Sequence, residues 1–302
     1  MIKHKICKIL LVILAIFLCV AFYELLGICV AYKKQPEVSN TTKKETKNGS
    51  WNECSENTER AVIIEKNPEA LLQRVRLIKN AKKEIILSTF AFQSDESGKL
   101  ILGALHDAAD RGVHIRLLVD GMESWIDMEG NPYFYGLSSH ENVEIKLYNK
   151  ANPLKPWKTM GRMHDKYLIA DGKRYILGGR NTYNYFLGDF PGHKNYDRDV
   201  LVVCDEPEKE NSVNQLLEYF ETIWEQEDSR YFHDNKKLAN RKSVKNAVLE
   251  LQHGYQKYFE ENKERICDTD YTEETFEPEK IALVSDHIHT GSKDPVVWYQ
   301  LG

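Results

Sequence analysis

Residues 164 to 181 read His164-Asp165-Lys166-Tyr167-Leu168-Ile169-Ala170-Asp171-Gly172-Lys173-Arg174-Tyr175-Ile176-Leu177-Gly178-Gly179-Arg180-Asn181. Two short apolar runs flank Asp171-Gly172, a dipeptide suited to a two-residue hairpin turn. Side chains on a strand repeat every two residues, so His164 and Lys166 project from one face. An imidazole and an ammonium therefore look into a common site, with Gly178-Gly179-Arg180-Asn181 returning towards it.

Working outward, Ala61 to Ile64 is a short apolar run, and Asn67-Pro68 reads as an N-cap with proline at the first helical position. Leu71, Val75 and Ile78 then supply an apolar helical face. Ile85 to Ala91 is predicted as a strand, Gly98 to Arg111 as a helix closed by Gly112, and Val113 to Val119 as a buried strand. Val143 to Tyr148 and Asp199 to Val203 are further strands. Val213, Leu216, Leu217, Phe220, Ile223 and Trp224 mark an amphipathic helix. Strands and helices alternating at these lengths predict an α/β layered domain over residues 61–230, with a mostly parallel central sheet flanked by helices. Residues 231–280 read as a charged helical connector.

A chain of 302 residues with 42% hydrophobic content can bury a sizeable core. Its net charge of -5 and pI of about 6.1 exclude a global basic field, so an anionic substrate must be held locally. Cys7, Cys19 and Cys29 lie in the apolar N-terminal stretch, leaving Cys54, Cys204 and Cys267 for the remainder. With no CxxC spacing, a cysteine zinc site and a disulfide framework are disfavoured, a Cys54–Cys267 bridge being the one pairing left open. Neither metal nor cofactor is expected.

After the basic residues 1–8, Ile9 to Tyr32 is apolar except for Glu24. As a helix at ~1.5 Å per residue it reaches ~36 Å, against a hydrocarbon core of ~30 Å. It is read as a transmembrane anchor. Cleavage as a signal peptide is the competing reading, weakened by the lack of an A-x-A site. Residues 33–60, rich in Ser, Thr, Asn, Lys and Glu, follow as a polar tether. Short basic N-termini stay inside, so the expectation is a single-pass cell-membrane protein with its C-terminal domain on the exported side.

A phosphodiester centre needs a nucleophile, fixed positive charge and a proton donor for the leaving alkoxide. The His164 imidazole suits the first and third roles, since its ordinary pKa of ~6.5 allows either near neutrality. Lys166 is the point charge and Asn181 a neutral hydrogen-bond donor, with Gly178 and Gly179 letting the backbone come close. A carboxylate must hold the imidazole in one tautomer. Asp199 is the first candidate and Asp197 the second. Asp171, at the turn, suits a structural acceptor more than a reacting group. His106, His114, His140, His193, His233 and His253 read as surface or packing residues.

The H-x-K-x-x-x-x-D pattern of His164, Lys166 and Asp171 resembles the HKD motif of the phospholipase D superfamily. Together with Gly178-Gly179-Arg180-Asn181, Ser97-Gly98, Ala108-Ala109-Asp110-Arg111-Gly112-Val113 and Leu117-Leu118-Val119-Asp120-Gly121, it looks like the first half of bacterial phospholipase D-like and cardiolipin synthase-like proteins. The resemblance covers roughly Ala61 to Glu227. It implies two halves packed about a pseudo-twofold axis, each giving one histidine motif to a shared, metal-free site. One histidine would form a phosphohistidine intermediate and the other would protonate the leaving group. Carried over by position, His164 is nucleophile or acid, Lys166 and Asn181 hold phosphate, and Asp199 orients His164.

No second H-x-K-x-x-x-x-D occurs in the 302 residues. Residues 281–302, with Leu283-Val284-Ser285, His287, His289, Lys293 and Asp294-Pro295, look like the entry into a second, truncated half. Three functions are consistent with these features: a phospholipid hydrolase or phosphatidyltransferase beside the membrane, a nuclease completed by a homodimer partner, and a catalytically inactive membrane module.

Overall fold

The computed structural model describes residues 2–33, 58–158, 161–208, 211–233, 235–279 and 281–285. Its chain order begins with helix α1 (Ile2–Lys33), strand β1 (Arg60–Ile64), α2 (Asn67–Asn80), β2 (Glu84–Thr89), α3 (Glu96–Asp110) and β3 (His114–Asp120). Next come α4 (Gly121–Asp127), α5 (Pro132–Ser138), β4 (Val143–Tyr148), β5 (Lys166–Ala170), β6 (Arg174–Gly178) and β7 (Asp199–Val203). The described chain ends with α6 (Ser212–Trp224), β8 (Ser229–Tyr231), α7 (Lys242–Glu261) and α8 (Lys263–Cys267).

One sheet carries the eight strands in the order β1-β7-β6-β5-β2-β3-β4-β8. Only β2–β3 and β3–β4 pair in parallel; the other neighbours are antiparallel. The sheet is therefore mixed, and the expectation of a mostly parallel one holds only for its βαβ part. The β5–β6 hairpin pairs Ala170 with Arg174 across three residues rather than the two expected and so forces antiparallel pairing, whereas parallel neighbours need a crossover, supplied by α3 between β2 and β3 and by α4 and α5 between β3 and β4. Past β5 the chain returns by the Asp171-Gly172 turn and by loops. Asp171 and Gly172 both take positive φ there, 56° and 63°.

Alternation along each strand feeds two cores. Ile85, Leu87, Ile115, Leu117, Val119 and Leu168 pack under α2, α3, α5 and α7, while Ile86, Leu118, Tyr167, Ile169 and Val202 pack under α6. Val244, Leu251, Tyr255 and Phe259 place α7 inside the larger core. Within the segment expected to be a connector, α7 is thus packed on the domain, because the one apolar stripe of a charged helix is enough to bury it. Helix α2 starts at Asn67 with Lys66 as its N-cap residue, so Asn67 is not the cap. Its side chain instead accepts from Arg180 Nε and donates to the Asn195 carbonyl. Of the stretch expected to open a second half, His287, His289 and Lys293 lie outside the described residues, as does Cys54 of the open disulfide pairing.

Candidate active site

The ends of β2, β3 and β4 and the start of β5 form one edge of the sheet, fixed by the registers Thr89↔Lys166, Thr89↔Val119 and Asp120↔Tyr148. His164 lies exposed just before β5, and Lys166 is buried as its first residue. Lys166 Nζ donates to the His164 carbonyl at 2.6 Å, which curls the ammonium back under the histidine. Phe90, just beyond β2, meets the imidazole edge-on with centroids 4.7 Å apart. Lys166 Nζ and the Arg162 guanidinium lie 5.4 and 4.8 Å from the same ring. A π-face takes both cations, while the ring edge steers the imidazole.

Although the residue is exposed, partial desolvation of its ring lowers the His164 pKa, with Lys166 and then Arg162 adding to the effect against an opposing Asp120. These effects favour the neutral imidazole. Burial brings Lys166 down to about 8, opposed by Asp165 and Asp197.

Asn181 is buried, and its Oδ1 accepts from the Ala91 N–H at 3.2 Å. Of the two amide ends only the oxygen can accept from an N–H, so the bond orients the amide and presents Nδ2 as a donor. Gly178 and Gly179 have a different reason from the one expected. A Cβ on Gly178 would lie 2.1 Å from Asp199 Oδ1, and one on Gly179 would lie 2.0 Å from Asp197 Oδ2. The two glycines make room for carboxylates.

Asp199 does not hold His164. Its Oδ2 takes Arg74 Nη1 at 2.8 Å and Arg180 Nη1 at 3.3 Å, all three side chains being buried. Arg180 also donates to the Ile64 and Glu65 carbonyls and to Asn67 Oδ1. This knot ties β1, α2 and β7 to the backbone leading into Asn181, so Asp199 is a structural anion. Asp197, the second candidate, lies beside Gly179 and within electrostatic reach of Lys166. Asp171 is at the opposite edge, beyond the five residues of β5, some ~16 Å along at ~3.3 Å per residue. There its carboxylate accepts from the backbone N–H groups of Lys82, Lys83 and Glu84.

Asp120 was not among the predicted site residues, yet it organises this edge. Its buried carboxylate caps α4 by accepting from Met122 N and Glu123 N, takes the Met163 N–H at 3.1 Å, and takes Arg162 Nε at 2.9 Å. Two residues that precede His164 are thus fixed by one anion. A carboxylate ending a buried strand at its carboxyl edge was the available signal. Among the described residues, no group of three His, Cys, Asp or Glu is arranged to hold a metal ion.

Residues 74–224 match the family model described as "Cardiolipin synthase, PLD-like domain". An uncharacterised protein of Helicobacter pylori strain J99 is 30% identical over 206 residues, covering 63% of this chain and 38% of the relative. Cardiolipin synthase C of Escherichia coli K12 is 29% identical over 171 residues, covering 52% of this chain and 34% of that protein. The chain spans about a third of the length of these curated relatives. Among solved structures, NucT from Helicobacter pylori superposes with a TM-score of 0.46 at 16% identity, over 58% of this chain and 99% of that one. Phosphatidylserine synthase from Haemophilus influenzae Rd KW20 gives 0.48 at 17% identity, over 73% and 48%.

Proposed function

Because this chain belongs to the phospholipase D-like domain family of the cardiolipin synthases, we propose that it is a membrane-anchored phosphodiesterase or phosphatidyltransferase acting on phospholipid headgroups. His164 supplies either the attacking nitrogen or the proton for the leaving oxygen. Lys166 and the Asn181 amide hold the phosphoryl oxygens. A complete centre needs two imidazoles, since one cannot be both attacking base and protonated acid on opposite sides of one phosphorus. The second comes from another half or from a second copy of this chain.

In the first step the neutral imidazole bonds to phosphorus while the departing alkoxide takes a proton from the partner imidazole. In the second, water or an alcohol attacks the phosphohistidine and returns the proton, giving hydrolysis or transfer. In this scheme residues 9–32 anchor the chain, 61–230 form the first half with the charged helical segment 231–280 after it, and the catalytic domain sits on the exported side.

The observation that supports the lipid reading over the nuclease one is where α1 meets the domain. This helix, apolar enough over Lys5–Gly27 to cross a membrane, lays its C-terminal part on the loop that leads into His164. Tyr23 Oη donates to the Leu154 carbonyl at 3.0 Å, and Gly27 abuts Pro156 so closely that a Cβ would lie 2.4 Å from the proline ring.

The test is turnover by the full chain in lipid nanodiscs, with and without added glycerol, beside a single-stranded DNA degradation assay and a His164→Ala control. Release or transfer of a headgroup that disappears in His164→Ala supports the reading. DNA cleavage without phospholipid turnover would establish the nuclease instead, and silence in both assays would favour an inactive module.

A further inference from the structure

Outside the histidine site, a cleft of about 590 Å³ opens between α4 and the loop after β4. Met122, Trp125, Leu147 and Pro153 form its apolar wall, Lys150 is its cation, and Glu24 of α1 closes one side. Its other acid, Glu129, is engaged by Tyr135 Oη and by the His233 ring, both at 2.8 Å.

Three independent features bear on what occupies this cleft. The first is its place: α1 contributes Glu24 from within Lys5–Gly27, the stretch apolar enough to cross a bilayer, so the cleft opens beside that span. The second is the cleft's surroundings, where Trp125 and Ile126 are 66% and 65% exposed and Leu154 is 78% exposed. Large apolar side chains gathered this openly around a cavity mark a contact surface, and a tryptophan with apolar neighbours suits a membrane interface. The third is charge. From residue 149 to residue 163 the sequence holds Lys150, Lys155, Lys158 and Arg162 and no carboxylate. Lys158 and Arg162 are committed to Asp228 and to Asp120 and Glu123, Lys155 is exposed, and Lys150, which lines the cleft, gives one of its three N–H groups to the Tyr231 carbonyl at 3.3 Å and keeps two to offer.

Resting on the reading of α1 as a membrane span beside a lipid-directed site, we propose that this cleft seats one phospholipid of the adjoining bilayer. Its acyl chain lies against Met122, Trp125, Leu147 and Pro153, and its phosphate turns to Lys150. Asp120 makes the cleft relevant to the chemistry. The residue after it, Gly121, lines the cleft, while its carboxylate fixes Arg162 and Met163 ahead of His164.

The experiment is photo-crosslinking of the full chain in nanodiscs containing a phospholipid with a diazirine on its acyl chain, read by peptide mass spectrometry. Adducts are expected on α1 and also on residues 121–129 and 147–153. Lys150→Gln should cut the cleft adducts several-fold and leave those on α1 unchanged. Adducts confined to α1 would overturn the cleft proposal while leaving the span intact, and a chain without any adducts would overturn both. Equal cleft labelling in Lys150→Gln would remove the phosphate contact. Crosslinking needs no turnover, so an inactive centre at His164 fails separately, in the headgroup assay.

Discussion

Asp199→Asn separates two roles that the sequence leaves together. If Asp199 held the His164 tautomer, the substitution would slow chemistry and spare the fold. The structure predicts the reverse. The carboxylate is 2% exposed and stands between Arg74 and Arg180, whose side chains are 5% and 0% exposed. An amide keeps one acceptor but removes the charge, leaving two buried guanidiniums without an anion. Removing one partner of a buried ion pair costs ~3–5 kcal/mol, and the retained acceptor places this case near ~3. At ~2–4 °C per kcal/mol for a domain of this size, the melting midpoint should fall by ~6–12 °C. Circular dichroism melting of detergent-solubilised wild type and variant measures it, with headgroup turnover per folded molecule taken well below the midpoint. An unchanged midpoint with turnover down by ~10² or more, the scale of lost acid–base catalysis, would refute the reasoning and return Asp199 to the imidazole.

The Lys166 ammonium, brought down to about 8, is charged below that pH and neutral above it. Turnover kcat/KM should therefore fall as pH rises through 8, and Lys166→Arg, which cannot deprotonate, should flatten that alkaline limb in a pH–rate profile. Asp171→Ala removes the acceptor of three backbone N–H groups at a residue with φ of 56°, so urea titration should show a loss of ~1–3 kcal/mol. Its turnover per folded molecule should match wild type. Alkaline carbonate washing of membranes should leave the full chain in the pellet; release with a new N-terminus near Tyr32 would show that α1 is cleaved. Turnover should survive EDTA, since the proposed chemistry runs on imidazole and ammonium groups, and loss restored by a divalent ion would contradict it.

Local pattern alone determined a good deal of this protein. Asp171-Gly172 makes the turn, and the helical stripes of α3 and α6 are plain in Ile101, Leu105 and Ala108 and in Leu216, Phe220 and Ile223. These features depend on neighbours in the chain, so the chain order records them. Other features needed the fold. Strand direction beyond β5 depends on which loops return to the sheet, and burial of α7 depends on a partner surface supplied by α3 and α5. Asp197 and Asp199 are two residues apart and alike in sequence. Only the placement of Arg74 and Arg180, 125 and 19 positions before Asp199, turns Asp199 into a buried anchor and leaves Asp197 beside the site. A carboxylate's role follows from the charges around it, and those arrive from residues that the chain brings close only when it folds.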